Sequence, residues 1–340
     1  MVSYVNSMIA YSEPFMKNIM YSPRNDQWVD TSKGIAILLV IAGHVFSGFL
    51  SNAIFLFHMP FFFFLSGILL KPQPPGNYFL RKTPRLISPY IFYAVIFFIL
   101  SLFYFYHNGQ FSLLKVVHSM EREVVGGRFL TGWQSVFWFI PVFCISQQLL
   151  NFVLSRVSAK AASAVMLVML TIAYIDSYFV KVNVPLNLSA VLYATPLMYI
   201  GYYLKIKNIN ISKYLLVLIS IISIAMVYFW PDLFKVDMKY AFYGMPVVGA
   251  ISALCMSLLI INFSKNLSKG VGFLSFVGVN SMIIMYIHQF IRLELANRIT
   301  SNELICFIIT AVLSVLFCLF IHIIKNSNAR VGLILSKTVG

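Results

Sequence analysis

The stretch Lys33–His44, KGIAILLVIAGH, sets ten apolar or small residues between a lysine and a histidine. In a helix, eleven steps of 100° return to within about 20° of three full turns, so Lys33 and His44 share one face, about 16 Å apart along the axis. Whether that helix lies in a soluble core or a bilayer is decided by its surroundings. Of the 340 residues 60% are hydrophobic and 10% are charged, against about 25% charged in an ordinary globular chain. Further apolar runs recur along the whole chain. They are long enough for the 17 to 25 residues, roughly, that cross a bilayer.

Ten such runs can be drawn, at 34–51, 53–70, 86–106, 133–155, 161–180, 187–204, 213–230, 241–263, 272–291 and 304–325. They do not alternate polar and apolar as barrel strands would, and open sheet edges have no place in lipid. The expected fold is therefore an all-α polytopic membrane protein with about ten transmembrane helices. It divides into a leader at 1–33 suited to the inner membrane surface, a single membrane domain at 34–325, and a tail at 326–340. No internal repeat or soluble domain is evident.

The net charge of +15 invites a nucleic-acid reading, but its distribution argues otherwise. With both termini in the cytoplasm, 17 of the 25 Lys and Arg fall on the inner side, and seven of the ten acids fall outside. That is the positive-inside bias of a membrane protein, and no nucleic-acid partner is needed to explain it. The four cysteines lie in or at the ends of apolar runs without CxxC spacing, as small core residues do. The first apolar run begins too late for a cleavable signal peptide.

Ionisable residues inside a bilayer are costly and mark candidate sites. With Lys33 at the inner interface, His44 falls near mid-bilayer. A lone histidine there is equally explained as a neutral ring bonded to a backbone carbonyl, but His44 has company. FLFHMPFFFFLSG, 55–67, brings His58 into the outer half beside Pro60, which opens the helix locally, and ends in Ser66 and Gly67, small enough for close helix contact. On the ninth run Ser281, Met285, His288 and Arg292 form one stripe. No two of these histidines are spaced i, i+4 and no carboxylate or thiolate joins them at ligand spacing, so no metal is expected. Trp138 in FWFIP is either an interfacial belt residue or a platform for a sugar ring. KPQPPGNYFLRKTPR, 71–85, has four prolines and four cations and reads as an irregular cytoplasmic segment. The connection at about 106–132 is long for a passive loop and reads as a solvated surface segment or a cover for an outward mouth.

RNDQWVDTSKGIAILLVIAGH followed by FHMPFFFFLSG resembles the start of the acyltransferase 3 membrane family, in its fucose 4-O-acetylase-like branch. RKTPR, FWFIP, LYATPLMYIGYYL and VGVNSMIIMYIH agree in order, so the similarity spans about 24–290. The resemblance implies an O-acetyltransferase of the inner (cytoplasmic) membrane that moves an acetyl group from acetyl-CoA to a hydroxyl of an envelope polysaccharide or its lipid-linked precursor. Many members carry arginine where this chain has Lys33, so the charge is kept but the bidentate fork is lost.

The residue chemistry fits that expectation. Coenzyme A is polyanionic and cytoplasmic, so its site needs cations at the inner mouth, where Arg24, Lys33, Arg81, Lys82 and Arg85 are predicted. A sugar hydroxyl needs a base, and His44 is placed to be one. His58 or His288 is expected to donate to the oxyanion, and Asp30 to orient Lys33 or Arg24. Ser66, Trp138, Tyr286 and Arg292 are the expected acceptor contacts. The competing class is a transporter or flippase for a lipid-linked sugar, which would also use intramembrane histidines, although the missing inverted repeat disfavours it.

Overall fold

A computed structural model describes residues 27–267, 272–327, 332, 335, 338 and 339; Arg24 and most of the expected leader and tail lie outside them. The described chain is almost entirely helical. Each of the ten expected runs overlaps a helix. The first, α1, spans Gln27–Val45, so Asp30 and Lys33 sit in its opening turns. The second run is two helices, α2 (Gly48–Phe55) and α3 (His58–Leu69). Then come α4 (Pro75–His107), α5 (Leu113–Val125), α6 (Phe139–Arg156), α7 (Ala159–Ile175), α8 (Val191–Ile206) and α9 (Lys213–Phe229). A small antiparallel hairpin, β1 (Val236–Asp237) and β2 (Phe242–Tyr243), precedes α10 (Val248–Leu267), α11 (Gly272–Val279), α12 (Ser281–Phe290) and α13 (Glu303–Ser327).

Among the described residues, seven helices or nearly continuous helix pairs are long and apolar enough to cross a membrane, or eight if the bent unit Gly272–Val279 plus Ser281–Ile299 counts as one span. The sixth and seventh expected runs give helices of 16 and 17 residues, at the lower limit for crossing about 30 Å of hydrocarbon.

Three expectations change. Residues 71–85 are not irregular throughout, because α4 starts at Pro75 and carries Arg81, Lys82 and Arg85 on helical turns. Pro75 occupies the first helical position, where its missing N–H costs nothing. Pro84 and Pro89 lie inside the helix, an arrangement that transmembrane helices tolerate when neighbours satisfy the freed carbonyls. The first run does not reach residue 51. It stops at Val45, Ser47 is extended, and Gly48 takes φ +61°. Pro60 does not open the helix at His58 either. The break comes earlier, at Leu56–Phe57, and Pro60 is the third residue of the new helix, where no intrahelical N–H bond is due.

Glycines set the two closest helix crossings. A Cβ on Gly34 would stand 2.0 Å from the Leu274 carbonyl oxygen, and one on Gly278 1.7 Å from that of Asp30, so α1 and α11 meet backbone to backbone. A Cβ on Gly67 would stand 1.7 Å from the Met198 oxygen, and one on Gly201 2.2 Å from that of Phe64, which joins α3 to α8 in the same way. Close approach through small residues replaces the hydrophobic drive that lipid does not supply. The long connection at 106–132 is also partly ordered. It contains α5, capped by Ser112, whose hydroxyl accepts from Lys115 N at 3.2 Å.

Candidate active site

The C-terminal end of α1 is where the chain brings its imidazoles together. A helix ends with carbonyls that have no intrahelical partner, and here side chains supply them. Ser51 Oγ donates to the Gly43 oxygen at 2.8 Å and the Arg292 guanidinium donates to the His44 oxygen. Arg292 reaches it from Ile291–Ala296, a wide π-type turn, and is itself steadied by donating from Nε to Gln289 Oε1 at 2.9 Å. The backbone of His44 is thus clamped from two sides.

Its ring lies 5.5 Å from the His288 ring centre, 6.4 Å from His58 and 5.5 Å from Phe55. His58 and His288 each place Nδ1 3.0 Å from a carbonyl four residues back, those of Ile54 and Ile284. A nitrogen facing a carbonyl must be the donor, so the neutral rings carry their lone pairs on Nε2. This changes the expected role of both, because a neutral ring in that tautomer accepts at Nε2 and does not donate to an oxyanion. Among the described residues, no group of three or more His, Cys, Asp or Glu is arranged to hold a metal ion.

His44 lines a cavity of about 400 Å³, together with Lys33, His58, Trp138, Lys239 and Arg292. Lys33 and His44 therefore do open onto one space from one helix face. A second cavity of about 280 Å³ holds Ser66, Lys71, Arg81, Lys82 and Gln147. The two share Lys33, Phe62 and Phe143 in their walls, which makes Lys33 a cation common to the basic vestibule and the histidine chamber. Its ammonium pairs with Asp30 at 2.8 Å, as the sequence suggested. Asn151 fixes the entrance by hydrogen bonds to both backbone groups of Gln73, at 2.9 and 3.0 Å.

The other expected residues divide. Trp138 is 6% exposed and forms cavity wall at the start of α6. Ser66 belongs to the basic vestibule and not the histidine chamber, and accepts from Gln147 Nε2 at 2.7 Å. Arg85 is exposed and reaches neither cavity. Tyr286 is fully buried, stacked on Tyr93 with ring centres 4.4 Å apart, and lines neither cavity. One residue step from Met285, which does face the chamber, rotates it about 100° into the core.

Among the cavity residues that went unnoticed in the sequence, Gln289 and Lys239 carry side-chain donors. Gln289 lies between Met285 and Arg292 on the same helical stripe, so periodicity alone could have found it. Lys239 had no such signal. It sits in the turn of the β1–β2 hairpin, five consecutive residues of which, Val236–Tyr240, roof the chamber. The hairpin is held by Lys239 Nζ donating to the Leu130 oxygen at 2.6 Å and by Asn187 Nδ2 donating to the Met238 oxygen at 3.3 Å. Burial pushes the Lys239 ammonium down to about 8, with the Asp237 carboxylate opposing the change.

Membrane-length helices around a chamber lined by cations and imidazoles mark an integral membrane protein. Residues 26–323 match the family model of the acyltransferase 3 group, described as an acyltransferase domain. The chain belongs to that family and is a membrane acyltransferase. No curated protein and no solved structure matches it.

Proposed function

We propose that the protein is an O-acetyltransferase of the cytoplasmic membrane that moves an acetyl group from cytoplasmic acetyl-CoA to a hydroxyl of an envelope carbohydrate. The observation that carries this reading is that two adjacent cavities share Lys33 in their walls, with Lys71, Arg81 and Lys82 lining one and His44 the other. Phosphates of the donor dock on the vestibule cations, which charge-assisted hydrogen bonds favour. The pantetheine arm passes Lys33 and presents the thioester to His44. His44 takes the proton of the acceptor hydroxyl as its oxygen attacks the thioester carbonyl, and returns that proton to the departing thiolate.

Developing charge on the carbonyl oxygen needs donors already in place. The Lys239 ammonium and the Gln289 amide supply them from the chamber wall. Arg292 occupies the Gln289 carbonyl oxygen, which leaves the N–H pair of that amide free for the chamber. Trp138 offers a flat face for the sugar. The acceptor class follows from the likeness of the first two sequence blocks to the fucose 4-O-acetylase-like branch. Both termini are placed in the cytoplasm and the chain crosses the membrane ten times, with α8 and α9 as short spans.

The test uses purified protein in lipid nanodiscs with labelled acetyl-CoA and a membrane extract. Ester-linked label should appear on carbohydrate with the wild type. His44→Ala should abolish it while leaving abundance and melting temperature intact. Full transfer by His44→Ala would refute the role of that residue, and carbohydrate movement across the bilayer of sealed proteoliposomes, without acylation, would favour a flippase.

A further inference from the structure

The three histidines differ in what their second nitrogen has to bond. His288 is fully buried and its Nδ1 is committed to the Ile284 carbonyl, which leaves Nε2 as a lone-pair acceptor on the far side of the ring from its own helix. That Nε2 is buried without a partner among the described residues. Leaving such a group unsatisfied is destabilising, so an N–H donor is wanted there. The His288 ring has His44 as a neighbour, 5.5 Å between centres and tilted by 33°. Neither nitrogen of His44 has a hydrogen bond to a described residue, and at that spacing the ring edges approach hydrogen-bond reach. Catalytic hydrogen bonds are often long before substrate arrives and tighten afterwards.

We infer that His288 is a positioning residue for His44. Its Nε2 accepts the N–H of His44 and thereby fixes which His44 nitrogen carries the lone pair that faces the chamber. The inference rests on the proposed function above, because it assigns the orientation of the base named there. In the reaction His288 keeps its own Nδ1 proton throughout. The acceptor O–H bond breaks and its proton moves to the free His44 nitrogen while the new O–C bond forms. The C–S bond then breaks, and the same proton leaves with the thiolate as free CoA. The histidine pair ends with the protons it started with. His58 shows the same Nδ1 bond, but its ring lines the chamber and its Nε2 is not among the buried unpartnered atoms, so it does not share the role.

Three substitutions separate orientation from packing. In His288→Gln the side chain is long enough to set an acceptor oxygen where Nε2 stood. In His288→Asn the amide reaches only the Nδ1 position and offers His44 nothing. His288→Leu fills the space without polar groups. With the nanodisc assay, Asn and Leu should lower kcat about 100-fold, the scale of a lost acid–base orientation, with KM for acetyl-CoA changed less than twofold. Gln should retain at least about ten times the kcat of Asn. Wild-type kcat in His288→Asn, or equal kcat in the Gln and Asn variants, would overturn the inference. So would a loss in all three that follows their melting temperatures, since that marks a packing role. His44→Ala run alongside distinguishes the two levels. If it is inactive while His288→Asn is fully active, only this inference fails; if it is fully active, the proposed base fails and this inference with it.

Discussion

Lys33 lines both cavities and is already paired with Asp30, so on the proposed route a phosphate or thioester oxygen meets a cation held in place. A hydrogen bond to a charged group contributes about 1.5 to 3 kcal/mol, so Lys33→Met should raise KM for acetyl-CoA roughly 10- to 100-fold. Lys33→Arg keeps the charge and the Asp30 pair and presents a planar fork that can bind bidentately, so its KM should equal or fall below that of the wild type. Steady-state kinetics with varied acetyl-CoA decides, and an unchanged KM in Lys33→Met would remove the residue from the donor path. Lys239 predicts a pH effect of definite sign. Its folded-state value is lowered to about 8 from 10.5 by burial, so the protonated form weakens the fold. That penalty is fully present below about 8 and fades as pH climbs toward 10.5, because there the unfolded chain binds more protons than the folded one. The melting temperature of the wild type should therefore gain relative to Lys239→Met between pH 7.5 and 9.5. Parallel curves would show that the ammonium is not penalised where it sits.

The glycine crossings connect packing to chemistry. On α11, Gly278 lies against the carbonyl of Asp30, the residue that holds Lys33. Gly278→Ala forces the two backbones apart, and overpacking of this kind costs typically about 1 to 3 kcal/mol, occasionally more. Its melting temperature should fall by several degrees and its KM for acetyl-CoA should rise. Gly201→Ala, at the α3–α8 crossing, should destabilise comparably and leave donor affinity less affected. Equal KM changes in both variants would mean that Asp30 transmits nothing. Helices were legible in the sequence because lipid demands long apolar runs, and the Lys33–His44 face followed from helical periodicity alone. The breaks at Phe46–Ser47, Leu56–Phe57 and Asn280 were not, because they interrupt apolar runs and are secured by distant partners such as Arg292 on the His44 carbonyl. Counting prolines in 71–85 misled, since Pro75 starts a helix as readily as it stops one. Lys239 was invisible because a hairpin from a connecting segment carries it to the chamber, and no periodicity records such a fold-back.

Charge and cavities make one directional arrangement. The vestibule cations Lys71, Arg81 and Lys82 line one cavity, and in the proposed topology, which follows the positive-inside bias, that side faces the cytoplasm, where CoA is found. The helix α5, with exposed Leu113, Val117, Met120 and Val124 along one face, then falls at the opposite interface, where an amphipathic helix lies flat. All four cysteines are free and buried, so a single added cysteine supplies the reactive thiol against a low background. Arg81→Cys should react with a membrane-impermeant maleimide only in inside-out vesicles, and Thr131→Cys, in the exposed segment after α5, only in right-side-out vesicles. CoA added to inside-out vesicles should slow labelling at position 81, because the anion occupies the same mouth, and leave position 131 unaffected. Labelling of both positions from one side would invert the topology, and with it the route by which a cytoplasmic thioester reaches His44.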